Sequence, residues 1–128
     1  MNNNIEDLIK YRFNRSIETL NEVEHLKDIG YWNTAVNRLY YACYYAVSAL
    51  MLKNSIKTQT HKGIRNMFGS HFIQTGLIPR ELGRFFNDLF DKRHTGDNDD
   101  YITFDKEIIE DLLPQAKEFI YHIEKLIF

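Results

Sequence analysis

The stretch YWNTAVNRLYYACYYAVSALMLK, Tyr31 to Lys53, decides the fold. It contains no glycine or proline and few polar interruptions. Ala35, Leu39, Ala42, Cys43, Ala46, Ala49 and Leu50 are small or apolar at helical spacing. Tyr40, Tyr41, Tyr44 and Tyr45 carry strand propensity, but four alanines in the same window favour helix. A helix that is apolar on most sides sits at the centre of a bundle.

The same periodicity extends outward in both directions. Ile5, Leu8, Ile9, Phe13, Ile17, Leu20, Val23 and Leu26 form one apolar stripe on a long first helix. Gly30 closes that helix as a left-handed cap. Asn54 to Gln59 reads as a loop, and Thr60 to Gln74 as a shorter helix weakened by Gly63 and Gly69. Gly76 ends it. Pro79 opens a fourth helix as its first residue, where a missing N–H is harmless. Leu82, Phe85, Phe86, Leu89 and Phe90 carry that helix to about His94. Thr95 to Asp100 is turn-rich and acidic, and predicts a loop. Asp105 caps a last helix, with Phe104 and Ile109 as a hydrophobic staple. Pro114 lies inside that helix and is expected to bend it. The prediction is an all-α, up-and-down antiparallel bundle of four to five helices, residues 1–128 forming one domain.

Composition narrows the function. The chain has 128 residues, 44% hydrophobic and 27% charged, with a net charge of −2. That balance excludes a strongly basic protein held on nucleic acid by bulk charge, though not a local basic patch. The single Cys43 excludes an internal disulfide framework and a multi-cysteine zinc site. His25, His61, His71, His94 and His122 form no i, i+4 pair, so no metal is expected. Gly69-Ser70-His71 is not a nucleophile elbow, and there is no glycine-rich phosphate loop, so no cofactor is expected. These residues read as surface histidines and helix glycines. No apolar run is long enough to span a membrane, and Met1 to Asn4 lacks the layout of a signal peptide. A cytoplasmic protein is the expectation.

Two places stand out. Arg38 sits within the apolar central helix, where a charge is costly without a partner. Asn37 and the tyrosine hydroxyls could build a buried polar network around it. The plainer reading is an anchor between two helices through a carboxylate. The second place is Asp91-Lys92-Arg93-His94 with Thr95 to Tyr101. Arginine can clamp a phosphate through two hydrogen bonds, and histidine is the natural acid or base near neutral pH. The plainer reading is a helix C-terminus whose cations complement the helix dipole.

Together these stretches resemble the HEPN family (higher eukaryotes and prokaryotes nucleotide-binding domain). The resemblance runs from about Gly30 to Tyr101. It is carried by Asn37-Arg38-x-Tyr40-Tyr41-Ala42, by Thr60-His61-Lys62-Gly63-Ile64, by Leu77-Ile78-Pro79-x-x-Leu82-Gly83, and by Arg93 with Asp97 downstream. The nearest likeness is to small stand-alone prokaryotic members. The resemblance implies an up-and-down bundle that homodimerises. It implies a metal-independent endoribonuclease motif, an arginine followed by a polar residue and, further on, a histidine, with two copies meeting across the dimer. It also implies a toxin–antitoxin pair with a minimal nucleotidyltransferase, which in some pairs adenylylates a tyrosine near the motif.

Carried onto this chain, Arg93 matches the motif arginine and His94 the polar residue. The histidine would fall at 98, 99 or 100, where the chain has Asn98, Asp99 and Asp100. Asn98 can hydrogen-bond but cannot transfer a proton. Tyr101 is a displaced counterpart of the modified tyrosine. One reading is a dimeric component of a toxin–antitoxin module that binds a nucleotidyltransferase and nucleotide or RNA, with RNase activity weak or lost. Arg93, Asn98, Tyr101 and Arg38 are then the binding candidates. The other is an active metal-independent endoribonuclease toxin with Arg93 and His94 catalytic at the dimer interface.

Overall fold

A computed structural model describes residues 3–128. Met1 and Asn2, part of the polar leader, lie outside the described residues. Five α-helices follow in order: α1 (Asn3–Asp28), α2 (Trp32–Lys53), α3 (His61–Phe68), α4 (Arg80–Asn98) and α5 (Lys106–Ile127). A single π-helical turn, Gly69–Ile73, continues α3. The chain is all-α, as the periodicity predicts, with no strand among the described residues.

The apolar face of α2 places it at the centre. Ala35, Val36, Leu39, Tyr40, Ala42, Cys43, Ala46, Val47, Ala49 and Leu50 are fully buried. α1 runs antiparallel to it, because its contacts climb one helix as they descend the other. Glu22 meets Arg38, Ser16 donates to the Ala42 carbonyl, and Arg12 donates to Ser48. α5 is likewise antiparallel to α1: Lys117 donates to Glu24, and Phe128 meets Phe13 edge-on at the far end. One cluster joins Val23, Phe68, Phe86, Phe119 and Ile123. Phe86 and Phe119 stack at 5.4 Å within it. No described helix is long and apolar enough to cross a membrane.

The helix boundaries follow local chemistry. Gly30 takes φ +82°, a conformation that costs glycine little. The Thr60 hydroxyl accepts from the Gly63 amide, and the Asp105 carboxylate accepts from the Ile108 amide. Both are N-caps that satisfy an otherwise orphaned donor. Pro79 is the N-cap rather than the first helical residue of α4. α5 continues through Pro114.

The acidic segment departs from the sequence reading. Residues 95–98 extend α4 by a turn, and the loop begins at Asp99. Tertiary contacts outweigh the turn-forming composition there. Asn37 donates to the Asp97 carboxylate at 2.9 Å. Gly96 admits Phe104, whose ring lies only 2.6 Å from where a Cβ would stand. Asn33 ties the following loop back to α2, donating to the Ile102 carbonyl and accepting from the Phe104 amide at 2.7 Å.

Candidate functional site

Three helices converge on Tyr40. α2 supplies its ring, which is fully buried and stacked on Phe86 of α4. One helical turn further along α4, Phe90 meets the ring edge-on at 5.7 Å. Another turn on, Arg93 reaches the same ring, its guanidinium carbon 5.0 Å from the centroid. Tyr41 and Phe90 lie 5.7 and 5.6 Å from that carbon. Arg93 therefore rests on an aromatic floor, its side chain only 16% exposed.

Asp97, one turn along α4, faces Arg93 at 3.6 Å, and Asn37 holds the same carboxylate oxygen. The contact is an ion pair beyond hydrogen-bond length. Arg93 Nε is buried with no hydrogen-bond partner among the described residues. The cation is thus positioned by the rings and Asp97, and its hydrogen-bonding capacity is not saturated.

His61, the first residue of α3, joins the cluster. Its Nδ1 lies 2.8 Å from the Tyr40 hydroxyl, and its ring stacks on Tyr44 at 4.3 Å. Burial first, and the Arg93 charge second, hold the His61 pKa below its ordinary value. Burial pushes the Tyr40 hydroxyl well above its ordinary range, against the opposing pull of Arg93. Both groups are neutral at pH 7.

His61 corrects the sequence reading, which counted it among plain surface histidines. Its one sequence signal is its place in the family-like stretch Thr60-His61-Lys62-Gly63-Ile64. The remaining candidates scatter. His94 is exposed and contacts Asn98, whose amide donates back to the His94 carbonyl at 2.8 Å. Tyr101 is fully exposed and adopts φ +67°, an unusual conformation for a bulky residue. Asp99 and Asp100 are exposed.

Arg38 does not lie in a buried network. It pairs with Glu22 of α1 at 3.3 Å, the two side chains 25% and 48% exposed. Asn37, expected to join it, serves Asp97 instead. Arg38 does share Tyr41 with Arg93, at 5.4 Å from the ring centroid. Arg15 lies over Tyr45 at 5.2 Å. A strip of half-buried tyrosines edged by arginines thus runs along α2.

The HEPN domain family model matches residues 9–126. The chain belongs to the HEPN family. A UPF0332 protein of Thermotoga maritima is 38% identical to this HEPN chain over 125 residues, covering 98% of it and 95% of the relative. A Methanocaldococcus jannaschii protein named "Putative toxin MJ0142" is 32% identical, covering 92% of this chain and 86% of its own. A second protein of that organism, "Putative toxin MJ0605", is 28% identical over 98% of this chain and 92% of its own. Arg93, which the sequence resemblance sets against the motif arginine, is the cation seated on Tyr40.

Proposed function

We propose that this HEPN protein is a component of a toxin–antitoxin type module, and that it dimerises, binds a minimal nucleotidyltransferase and takes RNA or nucleotide at Arg93. The carrying observation is the state of Arg93, a motif cation seated on three aromatic rings with an unpartnered buried Nε. Such an arginine suits a phosphate, which accepts two parallel N–H bonds. The neighbouring tyrosine strip suits unpaired bases, which stack on aromatic faces whatever their sequence. The relatives named as toxins support the module assignment.

The motif route to RNA cleavage is weak or lost. No histidine stands at 98–100, and Asp97 competes with phosphate for Arg93. Tyrosine and arginine are also favoured at protein interfaces, so the same strip fits a twin subunit.

Size-exclusion chromatography with light scattering tests the reading. The chain is run alone and then co-expressed with a minimal nucleotidyltransferase from its own genomic neighbourhood. The expected results are a dimer alone and co-elution of the pair. A monomer that leaves the nucleotidyltransferase in a separate peak would overturn it.

A further inference from the structure

We propose that His61 is the acid–base residue of this chain's RNA site, oriented by Tyr40, with Arg93 holding the phosphate. The inference rests on the reading that RNA is taken at Arg93. It also supplies the proton-transfer group that positions 98–100 lack.

Three observations converge. The Tyr40 hydroxyl lies 2.8 Å from Nδ1 and engages that nitrogen, which leaves Nε2 for a ligand. Stacking on Tyr44 at 4.3 Å fixes the plane of the imidazole. Arg93 covers the face of the same Tyr40 ring whose hydroxyl end His61 touches. The Arg93 charge also acts on His61, and the proposal places one phosphodiester between the two. A base held by a third group is the arrangement that acyl- and phosphoryl-transfer sites share.

The tautomer follows from the role. Nδ1–H donates to the Tyr40 oxygen, and Nε2 carries the free lone pair. The 2′-hydroxyl of RNA attacks the adjacent phosphorus, the O2′–P bond forming as the P–O5′ bond breaks. The 2′-hydroxyl proton passes to Nε2 of His61. The departing 5′-oxygen takes a proton from water. The products are a 2′,3′-cyclic phosphate and a 5′-hydroxyl, with no redox change, and His61 returns its proton to solvent. The depressed His61 pKa keeps the ring unprotonated at pH 7 and ready to accept.

The test follows binding and cleavage of a labelled single-stranded RNA by the full chain in EDTA. Wild type is compared with His61→Gln, Tyr40→Phe, His94→Gln and Arg93→Ala. His61→Gln is expected to bind RNA as wild type does but to cleave roughly 100-fold slower. Tyr40→Phe removes only a hydroxyl from a buried ring. It is expected to cleave more slowly and to move the acid limb of the pH–rate profile, a change that a purely structural role would not cause. Undiminished cleavage by His61→Gln overturns the assignment. So does loss confined to His94→Gln, or no cleavage by folded wild type. RNA binding unchanged by Arg93→Ala overturns the underlying reading instead.

Discussion

In the proposed reading, Asp97 sets how available Arg93 is to an incoming anion. The carboxylate faces the guanidinium at 3.6 Å and is 36% exposed, so the pair is partly screened. Asp97→Asn removes the competing charge while leaving an oxygen for Asn37. RNA affinity, followed by fluorescence anisotropy, is expected to rise roughly two- to five-fold, the scale of such a pair. Unchanged or weaker affinity would show that Asp97 does not compete. Arg38 presents the opposite case, a half-exposed ion pair with Glu22. Arg38→Ala is expected to cost about 1 kcal/mol or less in urea unfolding, and a loss beyond about 2 kcal/mol would contradict that. His61 adds a pH dependence. Its folded pKa lies below 6.5. As pH falls through that value the unfolded chain binds the proton first, so the stability from neutral His61 is full above it and lost below. Tyr40, Tyr41, Tyr44 and Arg93 are the titratable and charged groups that face it. His61→Gln is therefore expected to flatten the acid-side fall of the melting temperature, and a fall of unchanged slope would sink the idea. Arg93 was legible in the sequence because its neighbours on one helix resemble a motif. His61 was not, because its partner Tyr40 is 21 residues away on another helix, and that pairing exists only after folding.

The helices show where local signals suffice. Gly30 and Asp105 mark helix ends as the sequence predicts, because each acts through its own backbone or an amide three residues on, whereas Thr60, read as the first residue of its helix, caps it instead. Residues 95–98 were misread because threonine, glycine, aspartate and asparagine favour turns in isolation. Asn37 and Phe104, far away in sequence, reward one more helical turn there. This extra turn presents Asp97 to Arg93, so the misread segment shapes the site. Asn33 holds the loop that follows, through two hydrogen bonds. Asn33→Ala orphans the part-buried Phe104 amide and is expected to destabilise by about 1–3 kcal/mol. The amide of Phe104 should exchange faster by mass spectrometry or NMR, and unaltered exchange would show that the loop is held by other contacts.

At the scale of the whole molecule, α2, α3 and α4 of the five-helix bundle bring a cation, a neutral histidine and an aromatic strip onto one tyrosine, although the chain as a whole is slightly acidic. Binding that depends on placement rather than bulk charge should show a shallow salt dependence, since few phosphates are neutralised. The fold was legible because burying α2 on most sides leaves few alternatives to a bundle. The site was legible only in part, since it is assembled from α2, α3 and α4. The most direct test is an anisotropy titration of single-stranded RNA in EDTA, with wild type beside Arg93→Ala and melting temperatures confirming that both are folded. The expected result is saturable binding by wild type, weakened roughly ten-fold or more in the variant, the scale of a lost charge-assisted hydrogen-bond pair. Equal binding by the two proteins would contradict the placement of RNA at Arg93.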